Sequence, residues 1–398
     1  MRAPVDPDAL AAVLRPLREA RMPPAAAYTD PAVLAWERRH LFAGAWTCLG
    51  RFESLCRDGL TQRALAVGDV GVLLTFGAGG VRAFANVCRH RGHELLPEDG
   101  TSARPAVVCL YHGWAYRLDG ALATAPGMAG PPGLGLVELP ATVWHGWVFV
   151  NALGTAPPWP AYLGGLAPLI APYRPELLRT AAVHRYEVAA NWKVIVENYQ
   201  ECYHCPLIHP ELCRVSPPTS GGNWALPGAW VGGAMDLREH AETMSLDGRG
   251  AGTVIDGTPA HTVRYVAVFP NLLISAHPDY VMTHRLHPVA PDRTLVECAW
   301  LVPDGLTDAS HAVDFWDVTN RQDWAACESV QRGLTSPHFR PGPLAPNEDA
   351  VHRWVRLVAA CYLDPSGALA AACAQPAGHV DTAGHVDTAP VDREEWAG

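Results

Sequence analysis

The chain has 398 residues, 49% of them hydrophobic and 18% charged, with 36 glycines and 36 prolines, which allows a large core in about two to three domains and excludes a disordered or collagen-like chain. A net charge of −10 with no basic cluster excludes nucleic acid as a partner, and no apolar stretch reaches the ~18–20 residues of a membrane span. Eleven cysteines, an odd number, with no secretory signal visible behind Asp6 and Asp8, predict reduced thiols or metal ligation in the cytoplasm instead of a disulfide framework.

In chain order, residues 1–45 read as helical. Asp6 is placed to cap a run from Pro7 toward Ala20 that Pro16 can kink, and Thr29-Asp30-Pro31 reads as a cap followed by proline in the first turn. From 46 to 156 the pattern changes to short strands. Val70–Phe76 and Val81–Val87 flank a glycine-rich turn, Asp119-Gly120 predicts a second hairpin, and Trp147–Val150 reads as the last strand. The proline-rich segment 157–175 opens a mixed region expected to run to residue 372, and 373–398, where Ala377–Thr382 is repeated as Ala383–Thr388, reads as a flexible tail.

The strand block contains Cys88-Arg89-His90-Arg91-Gly92 and, nineteen positions after His90, Cys109-Leu110-Tyr111-His112-Gly113-Trp114. Structural zinc sites, the competing reading, usually pair Cys with Cys and His with His on each arm. Here each loop offers one thiolate and one imidazole, which suits a two-iron cluster with two cysteines on one iron and two histidines on the other. His93 has no partner in this pattern and is assigned to the periphery or the surface.

Further on, apolar spacing predicts a helix from Asn191 to Cys205. Glu201 and His204 then share a face. His204 and His209 lie about 140° apart on an ideal helix, so Pro206 is expected to break it and bring the imidazoles together. Two histidines need one carboxylate to form the facial triad of an oxygen-activating ferrous enzyme. His311–Gln331 reads as a long helix closed by Gly333, with Val313, Trp316, Asn320, Asp323, Cys327, Val330 and Leu334 on one stripe. Asp323 inside that apolar stripe is the candidate ligand, since a buried carboxylate requires a partner; pairing with arginine or backbone donors is the alternative. Glu348 and Asp349, in a proline-rich loop, stand as substitutes. Cys202 and Cys205 have the spacing of a redox pair, but without a βαβ context they read as small apolar fillers.

These two cluster loops, the NWK…ENYQECYHC…HP segment and the Gln322–Gly333 segment resemble the Rieske non-haem iron oxygenase α subunits. The likeness covers most of residues 40–335, with a longer gap between the cluster loops than is common. It implies an α+β fold: a Rieske all-β cluster domain and a catalytic domain with an antiparallel sheet covered by helices, of the helix-grip kind. It implies a [2Fe-2S] cluster on Cys88, His90, Cys109 and His112, mononuclear Fe(II) on His204, His209 and Asp323, O2 as co-substrate, and a homotrimer. Glu201 takes the position of the bridging acid, usually Asp, that links a cluster histidine of a neighbouring subunit to an iron histidine. Glu there resembles the branch that oxidises quaternary ammonium compounds.

No dinucleotide-binding glycine motif is evident, so a separate ferredoxin or flavin reductase is expected to carry electrons from NAD(P)H. For a quaternary ammonium substrate, Trp224, Trp230, Tyr199, Tyr265, Tyr280 and Trp300 are candidates for an aromatic cage, or else core packing. An aromatic acid or hydrocarbon is the competing substrate. His277–Tyr280 and His284–His287 are expected on strands walling the cavity, with Arg285 available to a carboxylate. A Rieske electron carrier without oxygenase activity and a zinc-stabilised binding protein are the remaining alternatives.

Overall fold

The computed structural model describes residues 2–128, 133–251 and 254–374. The hexapeptide repeat lies outside the described residues, whereas 373–374 belong to a helix, Pro365–Ala374. Asp6 caps the first helix as expected, its carboxylate accepting from the Asp8 amide, but that helix spans only Pro7–Val13. Pro16 accounts for the early stop, because proline supplies no donor and disfavours helical geometry in the residue before it. Asp30 likewise caps Pro31–Glu37.

The strand block forms three small antiparallel sheets. Val70–Gly77 and Gly80–Ala85 pair as the expected hairpin at the middle of a five-stranded sheet. Ala115–Arg117 and Leu122–Thr124 form the second, with Gly120 at φ 85° in its turn, a conformation glycine adopts without steric cost. Trp147–Val150 sits between Thr47–Arg51 and Ala141–Trp144. Cys88, Cys109, Trp114 and Tyr116 share a separate apolar cluster with Leu73 and Phe84, so both cluster loops stand on one small core.

The second half is built on a seven-stranded antiparallel sheet in the order Arg179–Val188, Arg293–Val302, Val281–Ala290, Leu272–Ala276, Thr262–Val268, Trp230–Asp236, Gly222–Asn223. The helix Ser310–Leu334 packs on the first of these strands and on the helix Trp192–Tyr199. It buries Trp316, Asn320, Cys327 and Leu334 of the expected stripe, while Val330 is 51% exposed. Gly333 does not close the helix, which continues to Leu334. Two placements differ from expectation. His277–Tyr280 forms the turn between two strands, and Arg285 and His287 line a crevice beside Arg51, Arg63 and Glu297 rather than the catalytic cavity.

The amino-terminal helices are welded to this half by a polar network in the core. Lys193 Nζ donates to Glu37 Oε1 at 2.6 Å, with side-chain exposures of 1% and 0%. Trp192 Nε1 donates to Glu37 Oε2 at 2.9 Å, and the Tyr362 hydroxyl donates to Glu37 as well. Beside it, burial pushes the Glu197 carboxyl up to about 8, against the opposing pull of the Tyr28 hydrogen bond and Lys193; the Tyr28 hydroxyl donates to Glu197 Oε1 at 2.9 Å. A buried ion pair is costly to break because the survivor is left uncompensated. Lys193→Met is therefore expected to destabilise the protein by about 3–5 kcal/mol, read as a lower denaturant midpoint, and adding Glu37→Gln is expected to recover part of that loss.

Candidate metal centres and cavity

The two cluster loops are turned in the same way. Cys88 O accepts from Gly92 N and Cys109 O from Gly113 N, both at 3.0 Å, and the two glycines have φ of 75° and 74°. Cys88 N donates to His93 O, and Cys109 N to Trp114 O, so His93 contributes a backbone carbonyl to the loop. Each loop thus presents its cysteine from the same geometry despite different Cys–His spacings. Cys88 and Cys109 are buried at 3% and 2% exposure, whereas His90 and His112 are exposed. The two imidazole rings are 4.6 Å apart, and His90 stacks on Trp114. Burial pushes the Cys109 thiol up, and the neighbouring Cys88 adds to this. Two thiols sharing a dry site are suited to a cation that can hold both as thiolates.

The second donor set forms where the chain leaves a helix. Asn191 caps Trp192–Tyr199, which ends at Tyr199, with Gln200 as its C-cap, rather than at Cys205. Pro206 does not break that helix; it lies in the first turn of a new one, Cys205–Ile208, where a missing N–H costs nothing. The expected Glu201–His204 contact is nonetheless present through the intervening loop: Glu201 accepts from His204 Nδ1 and from the Tyr203 and His204 amides. His209 Nδ1 faces Gln322 Oε1 at 2.7 Å, and Gln322 Nε2 donates to Glu211 at 3.1 Å. With both Nδ1 atoms committed as donors, the Nε2 atoms meet at 3.1 Å, and Asp323 Oδ1 lies 2.9 Å from His209 Nε2 and 3.4 Å from His204 Nε2. Burial opposes a positive His204, but Asp323 and Glu201 outweigh it and raise the imidazole to about 9. The site is thus electrostatically disposed toward a cation.

Asp349 and Glu348 do not join this group. Asp349 is held by Asn223 and Arg353, each at 2.6 Å, and Glu348 accepts from the Ala345 amide. Gln322 was not singled out in the sequence, although its place beside Asp323 on a helix directed at His209 is a usable signal. Cys202 and Cys205 are not separate fillers but are joined in a disulfide that brackets Tyr203 and His204, and Cys205 Sγ lies within 4.8 Å of nitrogen atoms of both histidines.

Beside the donor set opens a cavity of about 340 Å³, of the size that takes small ligands. Of the six proposed cage residues only Tyr199 and Tyr265 line it; Trp224, Trp230, Tyr280 and Trp300 do not, and are buried elsewhere in the core. Trp316, which the sequence placed on the apolar stripe without assigning it to the cage, supplies a third ring, 6.4 Å from Tyr265. Glu201, Asp323 and Asp349 contribute carboxylates, and no Lys or Arg lines the cavity among the described residues.

Comparison with known proteins agrees with this arrangement. Residues 45–140 match the Rieske [2Fe-2S] domain and residues 175–364 the catalytic domain of the ring-hydroxylating α subunit. The glycine betaine monooxygenase oxygenase subunit of Chromohalobacter salexigens is 31% identical over 84% of this chain and 84% of its own. The chain belongs to the Rieske non-haem iron oxygenases. The carnitine monooxygenase oxygenase subunit of Acinetobacter baumannii is 35% identical to this oxygenase over 79% of the chain and 85% of its own. Among solved structures, a quaternary ammonium Rieske monooxygenase studied for carnitine oxidation and inter-subunit electron transfer superposes with a TM-score of 0.70 at 25% identity, over 91% of this chain and 100% of its own.

The cofactors of the oxygenase are a Rieske cluster and a mononuclear iron that works with O2. Both donor sets fit them: buried thiols with exposed imidazoles in one, two converging Nε2 atoms and a carboxylate oxygen in the other. No described helix is long and apolar enough to cross a membrane. Peptide mapping of protein purified without reductant is expected to recover Cys202 and Cys205 in one linked species, two hydrogens lighter than the dithiol; complete alkylation of both would show the link to be absent.

Proposed function

We propose that this oxygenase oxidises a small quaternary ammonium compound, by hydroxylation or oxidative N-demethylation, with the iron held by His204, His209 and Asp323 and the cluster by Cys88, His90, Cys109 and His112. The observation that carries the substrate class is the cavity lining, which combines three aromatic rings with carboxylates and, among the described residues, no Lys or Arg. Each ring face attracts an ammonium group by about 0.5–2 kcal/mol, and the carboxylates add to the field. An aromatic acid would bring its own carboxylate into a cavity where the described residues offer no Lys or Arg to receive it. Glycine betaine and carnitine, the substrates in the names of the relatives, are both quaternary ammonium compounds.

The cluster and iron, when bound, supply electron storage and the activation of dioxygen. The chain's own residues prepare for this. Glu201 and Gln322 fix the tautomers of His204 and His209 from behind, which directs both Nε2 lone pairs to one point. Glu201 also serves as the bridging acid, in a homotrimer where His112 of the partner subunit approaches it. In support, His112 is exposed, and apolar side chains crowd both ends of that contact: Leu110 and Tyr111 at 76% and 52% exposure, Tyr203 and Leu207 at 62% and 92%. Subunit contacts bury patches of this kind. A ferredoxin or flavin reductase supplies the electrons. We assign residues 1–45 to helices packed on the catalytic domain, 46–156 to the Rieske domain and 157–372 to the catalytic domain.

Asp323→Ala is expected to release the mononuclear iron while the visible spectrum of the cluster persists, measured by metal analysis; full retention of that iron would remove Asp323 from the ligand set. Glu201→Gln is expected to keep both metals and slow product formation at least about tenfold, and unchanged turnover with the reductase would refute the bridging role.

A further inference from the structure

The Cys202–Cys205 bond stands against the histidine–aspartate donor set without belonging to it. It joins the half-buried Cys202 to the buried Cys205 and closes over Tyr203 and His204. Cys205 Sγ and one ring nitrogen each of His204 and His209 lie within 4.8 Å of one another. Both cysteines also line the cavity, the side from which a small thiol reagent approaches the bond.

What the sulfur can do depends on that bond. Cysteine ligates metals as the thiolate, and a sulfur tied into a disulfide carries no such charge. With the bond intact the site offers two imidazoles and the Asp323 carboxylate, three donors that leave coordination positions open. With the bond cut, Cys205 adds a fourth. Two nitrogens, one oxygen and one thiolate make the closed tetrahedral surroundings that zinc takes in structural sites, and a soft ligand favours zinc further over ferrous iron. Sulfur and nitrogen ligands of one tetrahedral zinc sit about 3.5 Å apart. The separations of at most 4.8 Å therefore have to shorten by no more than about 1.3 Å. Rotation about the Cα–Cβ bond of Cys205 supplies such a movement once Cys202 no longer holds the sulfur.

Resting on the reading of His204, His209 and Asp323 as metal ligands, we propose that Cys202 and Cys205 form a redox latch on metal choice. As a disulfide the pair keeps the site three-donor and open; on reduction Cys205 becomes a fourth ligand and the site takes zinc in a closed set. The step is an exchange: a dithiol passes two hydrogens to the bond, closing to its own disulfide and leaving two thiols in the loop, and the zinc ion then displaces the proton of Cys205. The zinc form has no position left for dioxygen.

The test uses the full chain purified without reductant, with its cluster kept and its mononuclear site stripped by a chelator, then given an equimolar amount of zinc. X-ray absorption at the zinc edge counts sulfur around zinc without interference from the cluster iron. The untreated protein is expected to show nitrogen and oxygen only. After treatment with dithiothreitol it is expected to show one sulfur at about 2.3 Å and to hold zinc at least about tenfold more tightly in competition with a chelator. Cys202→Ser, which leaves Cys205 free, is expected to show that sulfur with no dithiol added, and Cys205→Ser to lack it under either condition; an unaltered cluster spectrum checks the folding of each variant. Sulfur on zinc in the untreated wild type, its absence from both the reduced wild type and Cys202→Ser, or its persistence in Cys205→Ser would overturn this inference and leave the histidine–aspartate site standing. Zinc held as tightly by a chain carrying both His209→Ala and Asp323→Ala would overturn both.

Discussion

The catalytic half is organised around one meeting of atoms: the Nε2 edges of His204 and His209 and one oxygen of Asp323, drawn together from 114 residues apart. Three groups that all present electron pairs do not gather in a folded protein unless a positive charge is shared among them. That requirement explains local choices that otherwise look wasteful. The helix from Trp192 stops at Tyr199 although the apolar spacing continues, a second helix starts at Cys205, and Glu201 and Gln322 are spent on the far nitrogens of the imidazoles. The long helix Ser310–Leu334 then serves as the rigid bar that delivers both Gln322 and Asp323 to the same histidine.

The two redox sites solve opposite problems. At the cluster loops the thiols are inside and the imidazoles face outward, so it is the histidine edge that meets solvent. At the second donor set His209 is almost fully buried, while the side chains of His204 and Glu201 keep 16% and 13% exposure beside the cavity. The exposed apolar side chains beside each of these openings, Leu110 and Tyr111 at one and Tyr203 and Leu207 at the other, give the two halves matching rims.

Much of this was legible in the sequence, and the limits have physical causes. Apolar runs on either side of Asp-Gly or glycine-rich turns specify hairpins locally, so Val70–Gly77 with Gly80–Ala85 followed directly. The Cys and His pairs announce metal chemistry because so few other arrangements use those residues in that order. Between Tyr199 and His209 the chain departs from the helix that apolar spacing predicts, since periodicity does not report where a loop interrupts it; Glu201 and His204 touch through a loop and not along a helix. The cage was read only in part for the opposite reason. Aromatic residues are ordinary core material, and sequence cannot say which rings, such as Tyr265 and Trp316, face a hollow and which, such as Trp300, face other side chains. The Cys202–Cys205 link depends on a turn that only the folded loop creates.

The Glu37–Lys193 pair has a bearing on how the molecule is made. Glu37 precedes Lys193 by 156 residues, so during synthesis the acid has left the ribosome long before the lysine that must be buried against it. Tyr362, whose hydroxyl completes the shell around the same carboxylate, is among the last parts of the described chain to emerge, so Glu37 joins the first helices, the Trp192–Tyr199 helix and the final helices at one point.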